Sequence, residues 1–549
     1  MSAKTTVDNI ALDLSLRAKE IPDRPGITFE DGRHLTYSQW DRKAGRIAGL
    51  LRREGVLPGN RVALYLQNSL DLAAALFGCW KIGAVPVTLS VMYNAEELRS
   101  ALSKTVPVCI ITHASKISVV EKAGEFPYPA NWSAKILVAP EPSGETTMFQ
   151  SSMNCIDLAH ECDVTEPVES LYMPSPDDEG TILFTGGTTG LPKAVTVTHL
   201  GTRNSLRILA QASKRGVAGP YGATPEEVSP NLLTLPLFHS GGQQALLFAL
   251  HVGRSIVVME RFRVQTLSRL VGKHKIDNLF LMPTMLYDIV HSKEKVEISS
   301  VRSVLIAGQA LDPTLKQDFE SKWGIPIFSN YGSTEIGHVA GWTSADIKAG
   351  RWKAGPVGRI YEGVEVEIRD GEGSVVSENS VGEIWVKGGN TKGYVDGTNV
   401  SAETLIVDGW VASGDVGYTD GDDFLYLVGR QRDMIKTGGF QVWPQEIEQI
   451  LRTHPIVADV AVVGVRDERL GEIPKAFIVL SDGVHDSVEV VERELINFCK
   501  NRLSHFKSIR SVEIIAELPR SEAGKVQRGE LISRWHRITT NQGEKDEKE

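Results

Sequence analysis

The chain has 549 residues, of which 42% are hydrophobic and 23% are charged, and its formal net charge is -10. This length predicts roughly three or four folding units, because a single hydrophobic core does not grow to such a size. The acidic balance, without any run rich in lysine and arginine to offset it, argues against a nucleic acid or an anionic membrane surface as a partner. Anionic ligands therefore have to be met by local positive groups.

The five cysteines are scattered, odd in number and without a Cys-x-x-Cys pair, so they indicate neither a disulfide framework nor a zinc site. The first residues lack an apolar signal core, and the most apolar stretch, 72–80, ends at Lys81, well short of a membrane span. We therefore expect a cytoplasmic protein without integral membrane association, present as a monomer or a homodimer.

Helical and strand patterns alternate through the first half of the chain. Apolar residues recur at helical spacing in 40–51, the segments 61–66 and 85–89 are typical of strands, and 70–82 is typical of a helix between them. Further strand-like segments lie at 108–112, 135–138, 181–185, 231–235, 255–259, 278–282 and 301–307. Strands that alternate with helices predict parallel sheets that are covered on both faces.

The first strand pattern to carry a chemical signal is the segment 181–193, which reads Thr-Ile-Leu-Phe-Thr-Gly-Gly-Thr-Thr-Gly-Leu-Pro-Lys. It predicts a buried strand that runs into a phosphate-binding loop. Glycines let the backbone turn and direct its N–H groups at an anion, threonine hydroxyls add donors, and a lysine adds a fixed charge. These residues are Thr185, Gly186, Gly187, Thr188, Thr189, Gly190 and Lys193.

This loop differs from the common GxxxxGK[ST] nucleotide-binding loop. Lys193 follows Pro192 and precedes Ala194, so the hydroxyl that binds Mg²⁺ in that motif is missing. The difference excludes an ordinary P-loop ATPase and indicates another phosphate chemistry. Taken alone, however, the loop is equally compatible with a plain surface turn.

Two segments differ from the alternating pattern. Residues 140–176 are predicted to be an irregular insertion. After residue 331 the pattern changes to short strands with glycine-rich turns, at 364–368, 383–386 and 424–428, which indicates a small antiparallel β-barrel.

A new unit begins at about residue 433. It has a predicted helix after Pro444, strands at 457–465 and 475–480, and a helix at 488–503. This arrangement is typical of a compact α+β domain.

Further segments contain residue types that suit a nucleotide. They are Asn-Tyr-Gly-Ser-Thr-Glu at 330–335, Ser-Gly-Asp-Val-Gly at 413–417, Gly-Arg-Gln-Arg-Asp at 429–433 and Leu-Pro-Arg-Ser-Glu-Ala-Gly-Lys-Val-Gln-Arg at 518–528. Singly, each has an ordinary alternative: an N-capped helix after 330–335, an Asp-Gly turn, or a solvated lysine.

Together and in this order, the segments resemble the AMP-forming adenylating superfamily of acyl-CoA synthetases, luciferases and peptide-synthetase adenylation domains. The chain looks most similar to bacterial acyl-CoA ligases, and the resemblance covers about residues 24–528. It implies an α/β fold with a large N-terminal domain, 1–431, of two parallel-type α/β subdomains plus a small antiparallel β-barrel. A small mobile α+β domain, 432–549, would follow and carry a catalytic lysine.

The implied reaction activates a carboxylic acid, a poor acylating agent, as a mixed anhydride with AMP. The enzyme must neutralise charge on the α-phosphate, hold the departing pyrophosphate and anchor the adenosine. The resemblance implies an ATP-dependent acid:CoA ligase that uses ATP, Mg²⁺ and coenzyme A on a small-molecule acid. The predicted acid is hydrophobic: aromatic, alicyclic, or of medium or long chain.

Individual roles follow from the same resemblance. Tyr331 would stack on adenine, Thr334 would donate to the α-phosphate, and Glu335 with Thr188 would hold Mg²⁺. The catalytic set comprises Lys525, Thr188, Glu335 and His239, and Lys525 would bridge the acid and the α-phosphate. The full nucleotide and CoA set comprises Thr185, Gly186, Gly187, Thr188, Thr189, Gly190, Lys193, Gly308, Gln309, Ala310, Asn330, Tyr331, Gly332, Thr334, Asp415, Arg430, Lys436, Gly438, Gly439 and Lys525.

Two of these positions would bind ribose: Asp415 would accept from its hydroxyls and Arg430 would make a second contact. Lys436, Gly438 and Gly439 resemble the stretch that lines the pantetheine tunnel after the small domain has rotated. The hinge position is Arg432, where relatives usually have Asp or Lys. The acid would contact His239, Ala307, Gly308, Gly332, Ile336, Gly337 and His338.

Two alternatives to a CoA ligase remain open. The acyl group could pass to an amine or to a carrier protein, or the chain could be a nucleotide-binding scaffold without catalysis. His239 could also be an ordinary capping or core histidine.

Overall fold

The computed structural model describes residues 7–124, 134–144, 155–185, 193–213, 228–308, 311, 313–353, 355–396, 399–401, 405–438, 440–467, 469–481, 483–484, 487–520 and 525–535. Its helices are α1 Leu12–Glu20, α2 Tyr37–Arg53, α3 Leu70–Lys81, α4 Ala95–Thr105, α5 Ile117–Gly124, α6 Leu158–Val164, α7 His199–Ala212, α8 Ser240–His251, α9 Val264–His274, α10 Pro283–Val290, α11 Pro313–Trp323, α12 Ser344–Lys348, α13 Pro444–Arg452 and α14 Val488–Lys500.

The strands are β1 Pro25–Phe29, β2 His34–Thr36, β3 Arg61–Tyr65, β4 Val85–Thr88, β5 Cys109–His113, β6 Lys135–Ala139, β7 Cys155–Asp157, β8 Glu179–Thr185, β9 Lys193–Thr198, β10 Asn231–Leu233, β11 Ile256–Val258, β12 Asn278–Leu281, β13 Ser303–Ile306, β14 Ile327–Ser333, β15 Gly337–Gly341, β16 Gly358–Ile360, β17 Val366–Arg369, β18 Gly382–Lys387, β19 Thr391–Asp396, β20 Asn399–Ser401, β21 Ile406–Val407, β22 Trp410–Thr419, β23 Phe424–Arg430, β24 Ile435–Thr437, β25 Phe440–Val442, β26 Val457–Asp467, β27 Gly471–Leu480 and β28 Ser511–Ile514. Among the described residues, no helix combines the length and the apolar composition that crossing a bilayer requires.

The helix predicted from 40–51 is α2, and local sequence explains both its start and its packing. Thr36 caps it, because the Thr36 side chain accepts from the amide of Gln39 and the Gln39 side chain bonds back. Its apolar face buries Trp40 completely and contacts α3 in the largest hydrophobic core. The alternating pattern of the sequence is therefore confirmed at this point.

Parallel strands form the centre of a nine-stranded sheet in the order β20-β19-β9-β8-β4-β3-β5-β6-β7. The pairs from β8 through β4, β3 and β5 to β7 are parallel, whereas β9, β19 and β20 add an antiparallel edge. A four-stranded sheet, β10-β11-β1-β2, packs beside it. The predicted mixed α/β fold is thus present.

A ten-stranded sheet replaces part of the prediction. Its order is β12-β13-β14-β15-β16-β23-β22-β18-β17, with β21 beside β22. β12 to β14 are parallel and the later strands are antiparallel. The short strands predicted after residue 331 exist, but they continue the parallel strands, and their pairing as described does not close into a barrel.

The insertion predicted to be irregular, 140–176, contains regular structure in its described part. β7 adds to the edge of the nine-stranded sheet beside β6, and Asp157 caps α6 through a bond from the His160 amide. The short apolar pattern of this segment is too brief to show as a periodicity.

The last sheet has five strands, β25-β24-β27-β26 with β28 parallel to β27. Helices α13 and α14 cover it, and their buried residues include Ile447, Leu451, Val491 and Leu495. This arrangement agrees with the α+β unit that the sequence predicts after residue 433.

Candidate active site

One cleft of about 2980 Å³ brings together residues from the nine-stranded, ten-stranded and five-stranded sheets. Because the carboxyl ends of parallel strands open into such clefts, ligand-binding residues are expected here. The sequence-predicted residues that line it are Thr185, Lys193, His239, Ala307, Gly308, Asn330, Tyr331, Gly332, Thr334, Glu335, Gly337, His338, Asp415, Arg430, Arg432 and Lys525.

Asp415 is fixed on both carboxylate oxygens by two predicted neighbours. It faces Arg430 across the β22–β23 pair, with Arg430 Nε 3.0 Å from Asp415 Oδ1. The Tyr331 hydroxyl donates to Asp415 Oδ2 at 2.9 Å. Burial, followed by the charge of Asp415, raises the pKa of Tyr331 well above its usual range, so this hydroxyl remains a donor. The carboxylate keeps acceptor capacity for a further ligand.

The segment 330–335 forms a hairpin rather than the start of a helix. β14 turns into the antiparallel strand β15, and the turn is held by Ser333, whose Oγ accepts from the Glu335 amide at 3.3 Å and donates to Glu335 Oε2 at 2.9 Å. The Thr334 hydroxyl donates to Ser240 Oγ at 3.1 Å. The N-capped helix that the sequence left open is therefore wrong.

Two glycines make this hairpin possible. A Cβ on Gly332 would lie 2.0 Å from the carbonyl oxygen of Gly337, so any other residue would separate the strands. Gly337 has φ +72°, which L side chains rarely adopt. The motif therefore needs both glycines to hold Thr334 and Glu335 at the cleft.

A chain of hydrogen bonds connects three further side chains of the cleft region. The Tyr361 hydroxyl donates to Asn330 Oδ1 at 2.9 Å, and Asn330 Nδ2 lies 2.8 Å from His338 Nδ1. Burial lowers the pKa of His338 to about 4, so its ring is neutral near pH 7. This part of the cleft accordingly contains neutral polar groups.

Lys525 enters the cleft from the five-stranded unit. Burial lowers its pKa to about 8, Arg430 and Arg432 act in the same direction, and Glu335 and Asp415 oppose them. Lys525 lines the same cleft as Asp415, Arg430 and Glu335.

Described residues on either side of Lys525 make ion pairs within the five-stranded unit. Before it, Arg520 Nη2 lies 2.6 Å from Asp459 Oδ2 on β26. After it, Arg528 pairs with Glu448 on α13 and donates from Nε to the carbonyl of Val462 at 3.3 Å. An antiparallel bridge also joins Arg520 to Val526.

His239 is both a capping residue and a cleft residue. Its Nδ1 accepts from the Gly241 amide at 3.2 Å and so caps α8. Burial, with a smaller effect of Lys525, lowers the pKa of His239 to about 4. The ring is therefore neutral, and it lines the same cleft as Lys525.

Lys193 begins β9, and its Nζ lies 4.6 Å from the ring centroid of Tyr394. Tyr394 lies on β19, which pairs with β9 in the sheet. Eight predicted residues lie outside the described residues: Gly186, Gly187, Thr188, Thr189, Gly190, Gln309, Ala310 and Gly439.

Three predicted residues lie elsewhere. Ile336, expected beside the acid, is 4% exposed and packs in the hydrophobic core of the ten-stranded sheet with Val339 and Val411. The hairpin turns its side chain into this core, and Ile336 is not among the described residues that line the cleft. Lys436 and Gly438 lie on the five-stranded unit outside the cleft lining, with their amides bonded to Glu472 Oε2 at 2.9 Å and to the Leu470 carbonyl at 2.8 Å.

Sequence reasoning missed several cleft residues. Gln243 is buried and donates from Nε2 to the Leu237 carbonyl at 3.0 Å and to Thr88 Oγ1 at 3.2 Å. Tyr394 was missed because only the β9–β19 pairing brings it to Lys193. The glutamine pair Gln243–Gln244 in a largely apolar helix was the available signal.

Comparison with known proteins shows the family of the chain. Residues 14–395 match a family model described as "AMP-binding enzyme", and residues 446–525 match "AMP-binding enzyme C-terminal domain". A 4-coumarate–CoA ligase 1 of Oryza sativa subsp. japonica is 30% identical over 526 residues, which span 94% of this chain and 90% of the relative.

Solved structures share the fold. The o-succinylbenzoate CoA synthetase of Bacillus subtilis, in complex with its acyl-adenylate intermediate, aligns with a TM-score of 0.77 at 27% identity, over 96% of this chain and 98% of the other. ATP-bound MatB from Rhodopseudomonas palustris aligns with a TM-score of 0.83 at 23% identity, over 97% of this chain and 100% of the other.

Proposed function

The chain belongs to the AMP-binding enzyme family of AMP-forming acid–CoA ligases, and from this premise we propose its reaction and its residues. It converts a hydrophobic carboxylic acid and ATP into an acyl-adenylate and pyrophosphate, and then transfers the acyl group to coenzyme A with release of AMP. The observation that carries this proposal is that Lys525, Asp415, Arg430 and Glu335 line one cleft, where the other three charges act on the Lys525 ammonium group.

We assign the nucleotide to the ten-stranded side of the cleft. Asp415, oriented by Arg430 and Tyr331, accepts from the ribose hydroxyls. The ring of Tyr331 stacks on adenine while its hydroxyl stays bonded to Asp415. Asn330, Gly332 and Ala307-Gly308 complete the adenine site.

Lys525 carries out the central electrostatic role in adenylation. Its ammonium group lies between the acid carboxylate and the α-phosphate, so it draws two anions together and stabilises the charge that builds up. Thr334 donates to the α-phosphate, and Lys193 binds the phosphates from the other side. Neutral His239 borders the acid and holds no charge that would compete with Lys525 for it.

The Glu335 carboxylate is suited to bind the Mg²⁺ ion that accompanies ATP. Its Oε2 accepts from Ser333, while the described bonds leave Oε1 available for a hard cation. Within the described ranges, no group of three His, Cys, Asp or Glu could hold a metal by itself. Mg²⁺ held mainly by phosphates needs only one or two protein carboxylates, and it would neutralise phosphate charge.

We further propose that the chain divides into domains 1–431 and 432–549, and that the smaller one rotates between half-reactions. The inserted Lys525 corresponds to adenylation. Lys436, Gly438 and Gly439 would reach the cleft after rotation and line the path of pantetheine.

The acid pocket supports a hydrophobic substrate. Leu235, Leu247, Phe280, Met282 and Ile306 line the same cleft as His239. The relatives named above act on 4-coumarate and o-succinylbenzoate, which are aromatic acids. We therefore propose aromatic and alicyclic acids, and medium- or long-chain acids, as the substrate class.

A panel of such acids, scored by ATP-dependent pyrophosphate release, tests the adenylation step. Each active acid is then offered coenzyme A, an amine or a phosphopantetheine carrier, and the product is identified by mass. We expect the CoA thioester. Release of AMP only with an amine or a carrier would contradict coenzyme A as the acceptor. The absence of ATP–pyrophosphate exchange with every acid would favour a nucleotide-binding scaffold.

A further inference from the structure

Asn390 lies between two parts of the cleft that the proposed function assigns to phosphate and Mg²⁺. It immediately precedes β19, lines the cleft and is 6% exposed. β19 pairs with β9, the strand that begins at Lys193, and it carries Tyr394, whose ring centroid lies 4.6 Å from Lys193 Nζ. On the other side, the backbone amide of Asn390 donates to the carbonyl oxygen of Glu335 at 2.8 Å. One short segment therefore connects the strand of Lys193 with the hairpin of Glu335.

The side chain of Asn390 connects the same hairpin to helix α7. The orientation of its amide follows from its hydrogen-bond partners, and both polar atoms are then bonded. Nδ2 donates to the carbonyl oxygen of Gly201 at 2.9 Å and to Ser205 Oγ at 3.0 Å, while Oδ1 accepts from the Gly337 amide at 3.2 Å. The carbonyl oxygen of Asn390 also accepts from the Thr198 amide at 2.9 Å. Asn390 thus bonds both to the hairpin and to the beginning of α7.

Close backbone packing surrounds Asn390 on these two sides. A Cβ on Gly201 of α7 would lie 2.7 Å from Asn390 Cα. A Cβ on Gly389, the preceding residue, would lie 3.0 Å from the carbonyl oxygen of Glu335. The position of the hairpin is therefore coupled to the position of α7 through the segment at Asn390.

The hairpin has to be held from outside if Glu335 is to bind a cation. The bond described for the Glu335 carboxylate comes from Ser333, which belongs to the same hairpin. Thr334 is attached to α8 through Ser240, and Asn390 attaches the residues that follow to α7 and β19. A carboxylate binds a metal well when groups beyond it fix its position.

We propose that Asn390 is a positioning residue for Mg-ATP, which holds the Glu335 carboxylate in place relative to Lys193. The inference rests on the proposed function and adds to it a residue that acts through Glu335. Alanine at this position would leave the Gly201 carbonyl and the Gly337 amide without the partners that Asn390 provides. The hairpin would then be held less firmly at the metal side of the cleft.

The first test measures the affinity for ATP by calorimetry, once with Mg²⁺ and once with EDTA. Mg²⁺ should tighten ATP binding to the wild type, because Glu335 contacts ATP through the metal. Asn390→Ala should reduce this gain in affinity by about tenfold, the usual cost of losing a partner that orients a metal ligand. Its affinity for ATP in EDTA should stay close to that of the wild type.

The second test needs no nucleotide. Peptides that cover residues 330–341 should exchange their amide hydrogens faster in Asn390→Ala than in the wild type, because the Gly337 amide loses its acceptor. Ser205→Ala removes one partner of Asn390 and should shift both measurements in the same direction by a smaller amount. If Asn390→Ala does not fold, the measurements on Ser205→Ala decide the question.

Asn9→Ala is the matched control. Asn9 is 2% exposed, lies outside the cleft lining, and donates from Nδ2 to the carbonyl oxygens of Trp80 at 2.8 Å and Tyr172 at 2.9 Å. This variant loses a comparable buried amide. It should leave unchanged both the gain in affinity from Mg²⁺ and the exchange of residues 330–341.

The outcomes separate this inference from the proposed function. If the wild type bound no ATP, the proposed function itself would fail. If Mg²⁺ tightened ATP binding to the wild type and both variants, Asn390→Ala and Ser205→Ala, kept the full gain, the inference would be overturned while the function stood. Equal weakening with Mg²⁺ and with EDTA would also overturn it, and so would the same loss of the Mg²⁺ effect in Asn9→Ala.

Discussion

Single charges set the chemistry of this cleft, and Lys525 is the clearest case. An ammonium group that must neutralise a phosphate works only when it is protonated. Its pKa is lowered to about 8, mainly by burial, so protonation is incomplete in the alkaline range before ligands bind. The pKa of His239, which lines the same cleft, is lowered to about 4. Its ring is therefore already neutral throughout the alkaline range.

We predict that kcat/KM for ATP in ATP–pyrophosphate exchange falls as pH rises through about 8. The sign follows from the lowered pKa: the required charged form is present below that value and is lost above it. Rates measured from about pH 6 to about pH 10 at constant ionic strength give the profile. Lys525→Arg keeps its charge across this range, so its slower exchange should lack the alkaline decline. An identical decline in the variant would assign the titration to another group.

Asp415 provides a second prediction at this scale. Asp415→Ala should raise KM for ATP by about tenfold to a hundredfold, as expected for lost hydrogen bonds to a charged acceptor. Wild type should prefer ATP to 2′-deoxy-ATP, and the variant should lose that preference. Asp163→Ala, whose side chain is 81% exposed in the wild type, should change neither quantity. A preference retained by Asp415→Ala would place the ribose elsewhere.

Secondary-structure elements hold these residues through close backbone contacts. Helix α8 begins beside the cleft, where Gly242 packs against the preceding turn. A Cβ on Gly242 would lie 2.0 Å from the carbonyl oxygen of Pro236, which cannot move without the turn that carries His239. The position of His239 therefore depends on this glycine.

We predict that Gly242→Ala destabilises the protein by about 1–3 kcal/mol, because overpacking forces the backbone apart. The apparent melting temperature should fall by about 3–10 °C, measured by differential scanning fluorimetry. Gly272→Ala in α9 is the control, since its Cβ would meet only Glu297 Cγ at 3.4 Å and alanine favours a helix. Equal melting temperatures for the two variants would contradict the packing argument.

The strength of sequence-based prediction differs between these elements. α3 and β3 were predictable because apolar periodicity is local. The pairing in the antiparallel half of the ten-stranded sheet was not predictable, because strand partners such as β16 and β23 are distant in sequence. Tyr331 shows the same limit within the site: its motif was recognisable, but its bond to Asp415 depends on long-range pairing. The inward turn of Ile336 likewise follows from hairpin geometry.

At the scale of the whole molecule, the residues proposed to bind ATP and the lysine proposed to be catalytic come from different parts of the fold. The ten-stranded sheet supplies Asp415 and Glu335, and the five-stranded unit supplies Lys525. In the proposed reaction a thiol approaches the same carbonyl that Lys525 polarises, which is why we propose two poses for the two half-reactions.

We predict that Lys525→Ala lowers acyl-adenylate formation by at least about a hundredfold, since it removes an electrostatic contact to the transition state. Thioester formation from supplied acyl-adenylate and CoA should stay within about threefold of wild type, because the lysine has left the site in that step. Single-turnover assays of each half-reaction provide the measurement. Equal losses in both would contradict domain alternation.

The anchoring of the segment around Lys525 has a consequence for speed. Ion pairs from Arg520 to Asp459 and from Arg528 to Glu448 attach the lysine to the framework of its own unit. In the proposed rotation between half-reactions, the lysine travels with the unit as a body, a motion of microseconds to milliseconds. Under this proposal the motion of the whole unit sets an upper limit on turnover, and a more viscous solvent would lower the overall rate.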